Sequence, residues 1–202
     1  MAKRKHKANL EEFLDHFLSA KEVEGKSPAT LSFYRQNLER FLWWLKVNST
    51  PLRINSMDAN LLRSFLLYVK ITPNRWAIGS TSSKRLPSMA TVDAYWRSLQ
   101  AFLSWLVIEG QLKPETNPIK KLPRPKVPKK IVQDIPLYLI GQALDQWDPV
   151  TLTGARNIAI ILVLLDTGIR LSECAGLTID DINLESGLIE VWGKGRSNAG
   201  YV

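Results

Sequence analysis

A chain of 202 residues is long enough for one or two domains with a real core, and 45% hydrophobic against 23% charged residues is ordinary for a globular protein. The single cysteine, Cys174, excludes a disulfide scaffold and a cysteine-rich zinc site, and neither His6 nor His16 sits in a metal-ligand cluster. The net charge of +8 is uneven, with a balance of +9 over residues 1–122, +3 over 123–135 and −4 over 136–202, which points to a polyanionic partner for the front part.

No apolar run reaches the length of a membrane span and the N-terminus lacks the apolar core of a signal peptide, so a cytoplasmic location is expected, with no membrane partner. Residues 1–8 form a basic arm, either a solubilising tail or a phosphate contact. Leu10, Phe13, Leu14, Phe17 and Leu18 then recur at helical spacing, with Asn9 placed to cap the helix and Gly25 to end it.

An internal repeat follows. SPATLSFYRQNLERFLWWL, Ser27 to Leu45, returns as SMATVDAYWRSLQAFLSWL, Ser88 to Leu106, at an offset of 61 residues. Identical pairs include Tyr34/Tyr95, Leu38/Leu99, Phe41/Phe102 and Leu45/Leu106, all on one helical face. Each copy opens on a serine suited to an N-cap, and Pro28 fits the first helical position. The aromatic stripe reads as core, and the period is too long for a solenoid. The two copies are therefore expected to be equivalent helices of one bundle.

Between them, Asp58 to Ile71 reads as a third amphipathic helix capped by Asp58. Pro73 to Ser88 is a polar loop carrying Arg75, Lys84 and Arg85, either solvated or laid on a phosphate backbone. Asn117 to Pro136 holds five prolines and six basic residues, among them Lys120, Lys121 and Arg124, and is expected to be an extended linker. The chain thus divides into an arm (1–8), a helical domain (9–119), a basic proline-rich linker (120–135) and a last domain (136–202).

In that last domain, Pro136 to Gln146 is expected to be a short helix. The eight apolar residues Ile158 to Leu165 read as a buried helix closed by Gly168, with a new short helix starting near Arg170 and Cys174 and Leu177 facing inward. Arg170 is thereby set at a corner, where it can pair with Glu173 at i, i+3 or meet a phosphate with its planar fork. Asp181 to Trp192 reads as a β-hairpin turning at Glu185-Ser186-Gly187, and Gly193-Lys194-Gly195 as a second turn leading to a third strand.

T-G-I-R-L-S-E followed by A-G-L, with a hairpin ending in G-K-G 24 residues after Arg170, resembles the signature of the tyrosine recombinases, the phage integrase family. The resemblance spans nearly the whole chain. It implies a mainly α fold, in which a SAM-like four-helix core-binding domain is followed by a truncated α+β catalytic domain with a β-hairpin. It also implies DNA strand cleavage and rejoining through a phosphotyrosine intermediate in the full-length family, without cofactor or metal. By resemblance Arg170 would bind the scissile phosphate, Lys194 would protonate the leaving 5′ oxygen and Glu173 would support the site. Double-stranded DNA and other recombinase protomers, as a dimer or tetramer in the synaptic complex, would be the partners. The helix N-termini would supply Ser27, Thr30, Ser88 and Thr91 to DNA, with Lys26, Arg35, Lys84, Arg85 and Arg97 nearby and Lys120, Lys121 and Arg124 from the linker; Thr30 and Thr91 can equally serve as caps.

The family pattern continues with His-x-x-Arg, a later His or Trp, and a tyrosine nucleophile on a C-terminal helix. No histidine follows Arg170 here, and Tyr201 stands in SNAGYV, which does not resemble that continuation. Tyr201 is accordingly not assigned as a nucleophile, and the chain alone is expected to be inactive. The alternative reading is a naturally truncated, non-catalytic DNA-binding regulator or gene remnant.

Overall fold

Four capped helices account for the front of the chain. The computed structural model describes residues 9–73, 86–129, 131–191 and 200–201, the last two by their backbone alone. Helix α1 (Leu10–Val23) starts where the Asn9 side chain accepts from Glu11 N, and Leu10 N donates to Leu52 O at 3.1 Å. It ends at Glu24, and Gly25, at φ +75°, turns the chain. Helices α2 (Pro28–Val47), α3 (Ala59–Ile71) and α4 (Met89–Ile108) are capped by Ser27, Asp58 and Ser88, each accepting the backbone N–H three residues on. All four caps stand where the sequence pattern put them.

The apolar faces of α1–α4 close on one another. Phe17, Leu45, Phe65, Leu99 and Leu106 lie at the centre of one continuous core. Each such side chain contributes roughly 1.5–3 kcal/mol by leaving water. Phe17 meets Tyr34, Phe102 and Trp105 edge-on at ring distances of 5.4, 5.5 and 5.7 Å. The two copies of the repeat pack through equivalent positions, since Asn37 Nδ2 donates to Ser98 Oγ at 3.0 Å across the buried contact of α2 with α4, 61 residues apart.

After α4 the expected linker does not start as an extended chain. Pro118–Lys121 forms a single 3-10 turn in which Ile119 N donates to Asn117 Oδ1 at 3.1 Å, and Ile119 and Leu122 are buried in the helical core. Arg63 Nη2 adds a hydrogen bond to Lys121 O at 3.2 Å. Two apolar side chains three residues apart are enough to fold the start of this segment back, despite its prolines and lysines. The chain divides into two units after Lys130.

The second unit is built from α5 (Leu137–Leu144), α6 (Leu152–Thr167), the single turn α7 (Leu171–Cys174) and strands β1 (Ile182–Asn183), β2 (Leu188–Val191) and β3 (Gly200–Tyr201). The strands lie in the order β1-β2-β3, antiparallel throughout, with Ile182 opposite Ile189 and Glu190 opposite Tyr201. Asn183 Oδ1 accepts from Glu185 N and Ser186 N, each at 3.0 Å, and so shapes the hairpin turn. Gly154 is required in α6, because a Cβ there would stand 1.9 Å from the Asp148 carbonyl oxygen.

Here one expectation is corrected: α6 is not buried. Of its residues only Gly154 is buried, while Ile160, Leu162 and Leu165 are exposed. Its apolar run wants neighbours on every side, and α6 finds its main partner in the short α7. Cys174 and Leu177 are half-buried for the same reason. The fold as a whole is mainly α with a small antiparallel sheet. Among the described residues no helix is long and apolar enough to cross a membrane, and no group of side chains could hold a metal ion.

Candidate functional site

The corner that holds Arg170 assembles from its own sequence. Thr167 Oγ1 donates to Val163 O in the last turn of α6 and accepts from Ile169 N at 3.4 Å. Gly168 takes the left-handed conformation, φ +64°, that lets the helix stop there. Ile169 is buried and anchors the turn. Arg170 then caps α7, and Glu173 reaches back to it twice. Its Oε2 accepts from Arg170 N and its Oε1 from Arg170 Nη1, both at 2.7 Å. These bonds, the backbone one first, hold the Glu173 carboxyl below its ordinary range.

The Arg170 side chain is nonetheless 73% exposed, so one edge of the guanidinium is fixed and the rest faces solvent. Such a fork is suited to a phosphate oxygen. Beside it lies a cleft of about 280 Å³ lined by Ser172, Glu173, Leu177, Asp181 and Glu190. Asp181 accepts from Thr178 N and Thr178 Oγ1, which lowers its pKa, again with the backbone bond first. Three carboxylates on the wall make the cleft itself hostile to an anion.

The basic residues expected to face DNA divide into groups. Ser27 and Ser88 are helix caps whose hydroxyls also contact those of Thr30 and Thr91, at 3.0 and 3.2 Å. These four side chains are therefore engaged in local capping, as the sequence allowed. Lys26, Lys120 and Lys121 are exposed. Arg35 is exposed, with loose contacts to Asp15 at 3.9 Å and Glu39 at 3.7 Å. Arg97 and Arg124 are brought together by Asp93, a residue that sequence reasoning passed over although a charge between the core positions Val92 and Tyr95 of α4 was a legible signal. Arg124 accordingly belongs to the helical unit and not to a free linker. Lys84, Arg85 and Lys194 lie outside the described residues.

Comparison with known proteins finds sequence relatives along this chain. The phage integrase family pattern covers residues 140–200. The chain belongs to the tyrosine recombinase, or phage integrase, family. Its relatives include tyrosine recombinase XerC of Escherichia coli O157:H7 (strain EC4115 / EHEC), 31% identical over 185 residues, which make up 90% of this chain and 56% of that protein. Tyrosine recombinase XerC of Oceanobacillus iheyensis is 32% identical over 194 residues, 93% of this chain and 56% of its own. The crystal structure of XerA recombinase aligns over 95% of this chain and 58% of that one, at 18% identity and a TM-score of 0.39. The chain thus spans little more than half the length of the relatives it matches.

Proposed function

We propose that this chain is a double-stranded DNA-binding part of a site-specific recombinase, with residues 9–119 as the core-binding domain and residues 136–202 contributing to the catalytic domain. The observation that carries the proposal is the exposed Arg170 guanidinium, held on one edge by Glu173. In this reading Arg170 binds non-bridging oxygens of the scissile phosphate and stabilises the charge that grows on them in the transition state. Glu173 is a positioning residue that fixes the fork. Lys194, on the G-K-G between β2 and β3, donates the proton to the leaving 5′ oxygen. The exposed Lys26, Arg35, Lys120 and Lys121, with Lys84 and Arg85, contact the phosphate backbone. They position the protein without reading bases. Further recombinase protomers would join on DNA.

Within residues 1–202, binding without cutting is favoured by the placement of Tyr201. Its backbone pairs in β3 opposite Glu190, and a nucleophile needs an activating neighbour that no histidine after Arg170 supplies.

The test is a fluorescence-anisotropy titration of the 202-residue chain into a labelled duplex at several salt concentrations. Binding that weakens log-linearly with salt, at about 0.9 per neutralised phosphate, is expected. No binding at low salt, or binding indifferent to salt, would overturn the proposal.

A further inference from the structure

Asp93 is an anomaly in the helical unit. It sits on the core side of α4, only 7% of its side chain exposed, where the equivalent position of the first repeat copy, Ser32, carries no charge. Its two oxygens accept three N–H groups. Oδ1 takes Arg124 Nε at 2.7 Å, and Oδ2 takes both Arg124 Nη2 and Arg97 Nε at 3.0 Å. Arg97 also lies over the Phe33 ring of α2, 5.4 Å from its centroid. Three pieces of chain, α2, α4 and the segment after the 3-10 turn, therefore fix two guanidiniums around one carboxylate.

Stability is a weak reason for such an arrangement, because a buried ion pair often contributes no more than apolar side chains of the same size. Nor does the segment 117–124 depend on it, since Ile119 and Leu122 are buried and Arg63 holds Lys121 O. What the arrangement does secure is orientation. Arg124 spends Nε and Nη2 on Asp93, and Arg97 spends Nε. The remaining N–H groups of the two guanidiniums make no bond to the carboxylate, and the Arg124 and Arg97 side chains are 59% and 50% exposed. Two cations against one anion leave a local positive charge with preset donors. That is a seat for an oxyanion with two lone-pair-bearing oxygens.

We propose that Asp93 is a positioning residue that holds Arg97 and Arg124 side by side as a seat for one backbone phosphate of bound DNA. This rests on the DNA-binding reading and sharpens it to one site on the helical unit. The carboxylate stays charged well into acid, because the Arg124 hydrogen bond holds its pKa below the ordinary range, so the seat persists across the physiological span.

The proposal makes a prediction opposite in sign to simple electrostatics. Asp93→Asn removes a negative charge, and by charge alone the variant binds DNA more tightly. If Asp93 positions the two arginines, Asp93→Asn binds a labelled mixed-sequence duplex about five- to tenfold more weakly at low salt. Its log–log salt slope also becomes shallower by roughly one to two, as oriented phosphate contacts are lost. Arg124→Lys, which keeps the charge but not the fork, is expected to weaken binding in the same direction. It serves also as the second variant should Asp93→Asn fail to fold, with thermal melts confirming which chains are native. Wild-type binding matched or exceeded by native Asp93→Asn, with an unchanged slope, overturns the seat alone. Wild-type binding matched by native Arg124→Lys does the same. A wild-type chain that binds no duplex overturns the DNA reading and the seat with it.

Discussion

The contact between Asn37 and Ser98 gives the sharpest test of how the repeat builds the helical unit. Ser98 Oγ accepts from Asn37 Nδ2 at 3.0 Å and itself donates to Ala94 O at 3.0 Å. The two partners are therefore not equivalent to remove. Asn37→Ala leaves the Ser98 hydroxyl with its carbonyl, so the lost bond costs about 0.5–1.5 kcal/mol, plus whatever cavity remains. Ser98→Ala leaves the Asn37 amide without its acceptor inside the core and costs about 1–3 kcal/mol. In the Asn37→Ala background, the Ser98→Ala change orphans nothing and should be nearly silent. The double-mutant cycle is thus expected to show a coupling of about 1–2 kcal/mol, above the few tenths that unrelated sites show. Urea denaturation followed by tryptophan fluorescence reads it, since Trp44 and Trp105 lie in this core. Costs that simply add would mean that α2 and α4 do not cross at these equivalent positions, and the repeat would then be a sequence likeness without a shared contact.

Three further outcomes are expected. Glu173 has a depressed folded-state pKa, so its contribution is present above the unfolded value and lost as pH falls through the folded one; an NMR titration of its carboxyl carbon should give a midpoint below the ordinary glutamate range, and Glu173→Gln should shift Arg170 guanidinium resonances. Trypsin should cut first after Lys126, Lys129 or Lys130, because Ile119 and Leu122 tie down the segment before them. First cleavage after Lys120 or Lys121 would refute that packing. Nicked suicide substrates should yield no covalent adduct with the 202-residue chain, and an adduct mapped to Tyr201 would remove the view that its β3 placement is non-catalytic.

The helical unit was largely legible because its signals are local. Asn9, Ser27, Asp58 and Ser88 each stand at the head of an apolar stripe, and each caps the helix it heads. The turn at Glu185-Ser186-Gly187 was legible for a similar reason, with Asn183 closing it. The segment after Asn117 was misread because its prolines and lysines outweigh two apolar residues in composition but not in packing. Two buried methyl-rich side chains outdo the solvation of neighbouring lysines that never leave water. Asp93 itself carried a local signal, but its pairing with Arg124 did not, because the two are 31 residues apart and no periodicity connects them. The exposure of α6 ran against its apolar run, because such a run records what a helix needs and not what this unit supplies.

That contrast explains why Arg170 is well placed in a unit with little core of its own. Every constraint on it lies within eight residues: the Thr167 hydroxyl, the left-handed Gly168, the buried Ile169, and the two bonds from Glu173. Such a corner forms wherever α6 ends, whether or not the rest of α6 is covered. A motif that encodes its own geometry can be recognised from sequence and keeps its shape with few tertiary contacts. The phosphate seat proposed at Asp93 is the opposite case, since its arginines come from two elements and hold position only if the helical core is intact. Loss of core packing should therefore abolish the Asp93 seat before it disturbs Arg170. In a urea titration followed by NMR, the Arg97 and Arg124 guanidinium signals should melt with tryptophan fluorescence of the helical unit, whereas the Arg170 signal should follow its own transition; a single shared midpoint for all three would refute the distinction.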